Sequence, residues 1–219
     1  MKNYWISLLM LISAGCASQK PENIDHVILA INNLDKGVEQ FKALTGIEAV
    51  YGGAHPNSFT HNALVSLDGD TYLEIIAPRP DATNVPEEFL KYDSLTPWGW
   101  AIRTRNIETT RTKLKASGFD CSDNAQGSRS KPDGTLLSWT TMMIKDQPDF
   151  PFFIEWGKEV VHPSVSSPKG CALKSLSITS ANEKLLSKLN VTLDLGIKPS
   201  EGDFKMKLVI QTPKGEVSF

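Results

Sequence analysis

Cysteine is scarce in this chain, and neither sign of charge is in excess. The 219 residues include three cysteines, too few for a scaffold held together by disulfides. Lysine and arginine number 23 against 25 aspartate and glutamate residues, and no basic stripe appears, which excludes a nucleic-acid interface. Charged residues make up 22% of the chain, which excludes intrinsic disorder as well. The composition predicts a globular chain with one domain or two small ones.

Long hydrophobic runs are also missing, and the densest apolar stretch lies at the N-terminus. Residues 5–12 are mostly apolar and follow a short basic start, Met1-Lys2-Asn3. This run is far shorter than the roughly 20 apolar residues that span a bilayer. Residues 1–15 are therefore predicted to be an export signal peptide.

The end of this segment, Ser13-Ala14-Gly15-Cys16, resembles a bacterial lipobox. The resemblance implies that Cys16 is lipidated and becomes the mature N-terminus, with residues 16–23 as a lipidated leader. Ala17 resembles an outer-membrane sorting signal, so the expected place is the bacterial cell envelope, lipid-anchored in the outer membrane and facing the periplasm. An ordinary secretory peptide with Cys16 incidental is the alternative.

The mature chain begins with a strand and an amphipathic helix. Ile24–Ile31 reads as a strand, and apolar residues then recur at helical spacing from Leu34, with Asn33 as N-cap and Gly46 as the stop. Strand-like stretches follow near residues 48–51, 62–67 and 71–77. The order predicted for residues 24–78 is β-α-β-β-β.

The same order of elements recurs in the second half. The helix that begins at Ile107 matches the one that begins at Leu34, and Glu155 on the last strand is matched to Glu74, with a longer loop before it. We therefore expect two tandem modules, near 24–78 and 97–157, in an α+β fold. Residues 181–219, a helix and a hairpin, are expected to pack on the same domain as a C-terminal extension. Together with a strand at Cys171–Ile178 they are expected to form a partial third module.

Three polar residues within the apolar strands are candidates for a site: His26, Glu74 and Glu155. A carboxylate in such a strand is costly to bury unless it is paired or bound to a metal. Histidine nitrogen with carboxylate oxygens suits a divalent metal, here zinc, nickel, manganese or iron. The alternatives are a hydrogen-bonded core histidine, and glutamates that face solvent or pair with Arg103 or Arg129.

These residues lie in segments that resemble the glyoxalase-like domain of the vicinal oxygen chelate superfamily, over roughly residues 24–180. The segments carrying the resemblance are Ile24-Asp25-His26-Val27-Ile28, Leu44-Thr45-Gly46, Gly53-Ala54-His55-Pro56, His61-Asn62-Ala63-Leu64, Thr71-Tyr72-Leu73-Glu74-Ile75-Ile76, Gly127-Ser128-Arg129, Pro151-Phe152-Phe153-Ile154-Glu155-Trp156 and Gly170-Cys171-Ala172-Leu173. The resemblance implies that the two modules form a curved mixed sheet around a cup.

In metal-dependent members the ligands come from the first and fourth strands of each module. Carried over by position, the ligands are His26, Glu74 and Glu155, and the fourth position falls at Gly99, which has no side chain. The expected site has three protein ligands and one open position, or holds no metal. A further histidine, at position 55, 61 or 162, is a candidate to complete it.

Other polar residues in these segments are candidates for contact with a substrate. His55 and His61 are expected there, and Arg129 could clamp an anionic substrate because a guanidinium binds a carboxylate through two hydrogen bonds. The alternative for Arg129 is an exposed loop charge. For His162 a turn-fixing role is favoured. An oxidising envelope permits Cys121 and Cys171 to pair, with unpaired buried cysteines as the alternative.

The leading functional hypothesis is a metal-dependent lyase or isomerase that acts on a small oxygen-rich substrate, with Glu74 or Glu155 as general base. A metal-free module that sequesters a small molecule in the cup is the second hypothesis, favoured by Gly99 and the tryptophans. A lipoprotein scaffold with a decayed site is the third. A monomer and a homodimer are both compatible with the sequence.

Overall fold

The computed structural model describes residues 23–56 and 58–219. The predicted signal peptide and the lipidation site Cys16 lie outside the described residues. No helix in the described part of the chain is long and apolar enough to cross a membrane.

The first module has the β-α-β-β-β order predicted from the sequence. Its elements are β1 (Ile24–Ala30), α1 (Leu34–Thr45), β2 (Val50–Ala54), β3 (Thr60–Ser66) and β4 (Tyr72–Pro78).

The second module repeats this order after the short helix α2 (Glu87–Leu90). It contains β5 (Thr96–Arg103), α3 (Ile107–Ala116), β6 (Ala125–Ser130), β7 (Leu136–Met143) and β8 (Phe152–Trp156).

The two long helices of the modules begin in the same way. The Asn33 side chain accepts a hydrogen bond from the backbone of Lys36, and Asn106 accepts one from Thr109, so each helix has an N-cap that satisfies a free backbone N–H. Each cap directly precedes the helix start predicted from the sequence, so the caps are equivalent positions of the two modules. Gly46 ends α1 in the left-handed conformation that glycine favours.

The eight strands form one mixed, curved sheet in the order β2-β3-β4-β1-β5-β8-β7-β6. β1 and β5 are antiparallel neighbours at its centre, and each pairs in parallel with the last strand of its own module. The concave face forms a cup, and the convex face is covered by the helices and the C-terminal extension. This is the α+β architecture expected from the sequence.

The two edges of the sheet approach each other closely. The Arg129 guanidinium on β6 donates a hydrogen bond to the carbonyl of Gly52 on β2. A Cβ placed at Gly53, where φ is +133°, would lie 2.5 Å from the Ser130 carbonyl oxygen, so only glycine permits this approach. The sheet is therefore nearly closed, and Arg129 lies at the junction.

The C-terminal extension forms a separate four-stranded sheet. Helix α4 (Pro163–Ser166) leads into β9 (Ala172–Ser180), α5 (Glu183–Leu193), β10 (Lys198–Glu201), β11 (Lys205–Thr212) and β12 (Gly215–Ser218). The order along the chain is that of a module, but β9 and β10 are parallel neighbours, so the pairing differs from the first two modules.

The extension and the convex face of the large sheet share one hydrophobic core. Leu173 and Leu208 of the small sheet belong to the same buried cluster as Val27 and Trp100 of the large one. Cys121 and Cys171 lie in this core with free thiols, and burial raises the pKa of Cys171 to about 11. Unpaired buried cysteines, the alternative to a disulfide, are therefore observed.

A buried carboxylate, Asp25, joins the two modules beneath the cup. The β1–β5 register shifts between Ile24 and His26, so Asp25 has no partner residue on β5. Its carboxylate accepts hydrogen bonds from His26 Nδ1 at 2.8 Å and from Trp156 Nε1, Arg103 Nε and His162 Nε2 at 3.1 Å each. The four partners come from β1, β8, β5 and the start of α4.

The environment of Asp25 stabilises its ionised form. Burial alone would raise the pKa of this carboxyl, but the hydrogen bonds and charges of His162 and His26 outweigh that effect and hold the pKa well below its usual range. Asp25 therefore stabilises the fold at every pH above the pKa of an unfolded aspartate, about 3.9, and that contribution declines as the pH falls below this value.

We expect Asp25→Asn to lower the free energy of unfolding at pH 7 by about 3 kcal/mol, because it leaves Arg103 and two histidines without their buried anion. Denaturant titration followed by circular dichroism measures the loss. Asp70→Asn is the control, since Asp70 binds the same guanidinium from an exposed position. Equal losses in the two variants, or a loss that does not shrink at pH 3, would contradict the role of Asp25.

Candidate functional site

The concave face of the large sheet encloses a cavity of about 490 Å³, within the range of small-molecule sites. Both modules contribute to it, so one chain forms the complete cup. Its walls are largely aromatic; the lining includes Phe59, Tyr72, Phe89, Trp98, Trp139, Phe152 and Trp156. The polar groups of the lining are concentrated on the side of the first module.

Glu74 projects from β4 into this cavity. On β1 it lies opposite Ile28, and on β3 opposite Leu64, both of which are buried. The side chain is buried, and one carboxylate oxygen, Oε1, accepts a hydrogen bond from Asn62 Nδ2 at 2.5 Å. Neither predicted alternative applies: Glu74 does not face solvent, and no arginine or lysine within the described ranges forms an ion pair with it.

His26 faces Glu74 across the floor of the cup. Its Nδ1 lies 2.8 Å from Asp25 Oδ1, so this side of the ring is held by the buried carboxylate, and Nε2 points to Glu74. Nε2 is 3.6 Å from Glu74 Oε2, too far for a direct hydrogen bond. A polar group of a ligand in the cup would therefore lie within reach of both His26 and Glu74. Tyr72 stacks on the imidazole at 4.6 Å and holds the ring in place.

His55 lies on the other side of Glu74. Its Nδ1 is 2.8 Å from the Thr60 hydroxyl, and its Nε2 is 3.3 Å from Asn62 Nδ2 and 3.5 Å from Glu74 Oε1. Burial lowers the pKa of His55, so the ring is neutral at pH 7. His55 is therefore placed to orient Asn62, which in turn holds the carboxylate.

Arg129 supplies the positive charge of the site. It is buried, contrary to the alternative of an exposed loop charge, and it also lines the cup. Burial lowers the pKa of the guanidinium, which nevertheless remains charged. No carboxylate in the described part of the chain pairs with it, and Gly52 accepts one of its five N–H groups. The charge of Glu74 acts on the guanidinium only through space, and a buried cation without a directly bound carboxylate favours an anionic ligand.

Glu155 is not part of this site, which corrects the expectation that it is a metal ligand or a base. Its neighbours Ile154 and Trp156 line the cup, so Glu155 points to the convex face. There Oε2 accepts a hydrogen bond from the backbone of Ile107, the first residue of α3. An acceptor at that position satisfies a free N–H of the helix, so the role of Glu155 is structural.

The register of the last strands explains this error. In the first module Ile28 on β1 lies opposite Glu74 on β4. When the modules are aligned at their helix caps, the counterpart of Ile28 is Ala101 on β5, which lies opposite Phe152. Glu74 therefore corresponds to Phe152 and not to Glu155, which lies three positions further along β8. A shift by an odd number of positions moves a side chain to the opposite face of a strand.

The described residues do not fit the expected metal site, in which His26, Glu74 and Glu155 are the three ligands and one position is open. The first module supplies His26 and Glu74, but the equivalent positions of the second hold Gly99 and Phe152, neither of which has a donor atom. No group of three or more histidine, cysteine, aspartate or glutamate side chains among the described residues is arranged to hold a metal ion.

The remaining predicted histidines lie elsewhere. His61 lies on β3 between the cup-lining residues Thr60 and Asn62, so its side chain points away from the cup. It contacts Tyr51, with the ring centres 6.0 Å apart. His162 is the N-cap of α4, with Nδ1 accepting from the backbone of Ser164, as the turn-fixing role predicted. Its hydrogen bond to Asp25 was not predicted.

Asp25 and Asn62 are site residues that sequence reasoning missed. Asp25 lies within the fully buried strand IDHVILA, so the argument applied to Glu74, that a carboxylate in an apolar strand must be paired, applies equally there. Asn62 carried no comparable signal, because its role follows from pairing with Ile76 on β4, two residues beyond Glu74.

Comparison with known proteins supports the architecture. A family model described as "Glyoxalase-like domain" matches residues 24–193. No curated protein matches the chain. The crystal structure of a hypothetical protein from Staphylococcus aureus is similar with a TM-score of 0.62 and 20% identity, over 90% of this chain and 84% of that one.

Methylmalonyl-CoA epimerases show a weaker likeness. The enzyme from Streptomyces coelicolor matches with 19% identity and a TM-score of 0.45, over 62% of this chain and 97% of its own. The enzyme from Mycobacterium tuberculosis matches with 18% identity and a TM-score of 0.45, over 65% and 92%. On the strength of the family match and the two-module cup, the chain belongs to the glyoxalase-like domain family.

Proposed function

We propose that the protein is an enzyme of isomerase or lyase type that moves a proton of a small organic acid held in the cup. The observation that supports this most directly is the buried Glu74 carboxylate, which is held by Asn62, faces His26 and forms no ion pair with a lysine or arginine of the described residues. A carboxylate in that environment is a suitable general base. Arg129 on the opposite module is the group that binds the acid's negative charge.

The proposed step is removal of a proton from the carbon next to a carbonyl group of the substrate. Glu74 takes the proton, and the electron pair of the C–H bond moves to the carbonyl oxygen to give an enolate. Arg129 stabilises the negative charge of the substrate, more strongly in the dry cup than in water. If the proton returns to a different atom of the enolate, or to the other face of the same carbon, the reaction is an isomerisation. If the enolate instead expels a leaving group from the carbon on the other side of the deprotonated one, the reaction is an elimination.

Exchange of the substrate proton with deuterium tests this step without knowledge of the product. The full protein is incubated in D₂O with a panel of 2-oxo acids, and NMR follows loss of the signal of the proton on the carbon next to the carbonyl. We expect catalysed exchange with at least one acid, and Glu74→Gln to slow it about 10²- to 10⁴-fold because the base is lost.

Glu155→Gln is the matched control, since it is the same change on the last strand of the other module and on the convex face. It should leave the exchange rate unchanged. Because the donor set does not fit a metal, a chelator should also leave the rate unchanged. Loss of exchange on chelation, with recovery on adding zinc, nickel, manganese or iron, would instead support the metal-dependent chemistry with His26 and Glu74 as ligands.

A metal-free module that sequesters its ligand is the second candidate, favoured by the aromatic walls of the cup. In that case acids bind, no exchange occurs, and Glu74→Gln leaves the dissociation constant unchanged. Absence of both binding and exchange across the panel would contradict both candidates.

We also propose that the protein is anchored in the bacterial envelope through a lipid on Cys16, which the lipobox-like end of the signal peptide supports. Metabolic labelling with a palmitate analogue should label the wild type and place it in the outer-membrane fraction. Cys16→Ala should abolish both results, whereas Cys171→Ala should retain them, since that cysteine is buried in the domain core. Equal labelling of the three proteins, or an unlabelled wild type, would contradict lipidation at Cys16.

A further inference from the structure

A second pocket, of about 680 Å³, adjoins the cup. It lies beside the first half of β5, between the loop before β8 and the start of β11, and we call it the side pocket. Glu88, Trp98 and Phe152 line both the side pocket and the cup. A ligand bound in the cup therefore contacts residues that also form the walls of the side pocket.

The side pocket exists because β5 is only partly covered. β8 pairs with Ala101–Arg103 alone, so within the described ranges residues 96–100 have no strand on that side. In the first module the equivalent pairing extends over five residues, His26–Ala30. Gly99 leaves further space beside β5. A Cβ placed there would meet only one atom within 4 Å, Ile28 Cδ1 at 3.7 Å.

The walls of the side pocket are largely apolar and partly open to solvent, with the charged residues Glu88, Asp149 and Lys205 also in the lining. Trp98, Met143 and Phe204, which lie in three separate segments of the chain, are 40%, 58% and 41% exposed. Three large apolar side chains exposed around one concavity are unusual for a surface that has no ligand. Trp100, also in the lining, has an indole N–H that is buried without an acceptor.

We propose that the side pocket binds an apolar tail of the same organic acid whose charged end lies in the cup. The inference rests on the proposed function and extends it to a substrate class, an amphiphilic acid with an aliphatic tail. The shared walls support one ligand spanning both pockets, because Trp98 and Phe152 can contact its charged end in the cup and its tail in the side pocket. An oxygen atom on the tail that reached Trp100 would satisfy its N–H.

The test is the dependence of affinity on tail length. Calorimetry with the full protein measures dissociation constants for 2-oxobutanoate, 2-oxohexanoate, 2-oxooctanoate and 2-oxodecanoate. A fully buried CH₂ group strengthens binding about fourfold. With partial burial we expect the ten-carbon acid to bind at least about 30-fold more tightly than the four-carbon acid.

Two substitutions show whether the gain arises in the side pocket. Gly99→Ile fills the space beside β5 with a residue suited to a strand, and it should remove most of the gain, with Gly99→Ala intermediate. Met143→Glu places a charge on the exposed wall and should weaken the binding of long acids only. Leu136→Glu is its matched control, on the same strand and similarly exposed at 63%, but outside the side pocket.

The outcomes separate this inference from the proposed function. Binding of the short acids with no gain from added carbons would overturn the side pocket as a tail site and leave the proposed function intact. A gain that persists in Gly99→Ile and Met143→Glu would overturn it as well, because the tail would then lie elsewhere. Failure of every acid to bind would overturn both. Thermal unfolding of each variant confirms that the fold is retained.

Discussion

The contact between the buried Asp25 carboxylate and its four donors is the interaction on which the rest of the structure depends. β1 and β5 meet at the centre of the sheet, and Asp25 is bonded to residues from both of them, from β8 and from the start of α4. The same carboxylate also holds the imidazole of His26, which faces Glu74 in the cup. The residue that joins the two modules and a residue that lines the cup are therefore adjacent on one strand.

The fold was largely predictable because its signals are local. Asn33 and Asn106 cap their helices through bonds to residues three positions ahead, and apolar spacing marks the strands between them. The site was predictable only in part, because strand pairing determines which side chains share a face. The loops differ in length between the modules, so the alignment that matches the helix caps does not match the last strands. Sequence spacing assigned Glu74 to the cup correctly and Glu155 incorrectly for this reason.

The two modules have diverged into different tasks within one cup. The first supplies the titratable groups, His26, His55 and Glu74, and the second supplies aromatic walls together with the single cation Arg129. Gly99 and Phe152 occupy the positions that correspond to His26 and Glu74. The two modules thus share one order of elements, while the first holds most of the polar groups of the cup and the second holds its tryptophans.

Arg129 has a consequence for the solubility of the protein. Strand edges that are left unpaired offer their backbone groups to other chains and promote aggregation. Here the outer strands β2 and β6 cover one another, and the guanidinium bound to Gly52 lies between them. The group proposed to recognise the ligand also shields two sheet edges from other molecules. A substitution of Arg129 would therefore remove the contact between the two edges together with the charge of the cup, whereas a substitution in the aromatic walls would leave that contact in place.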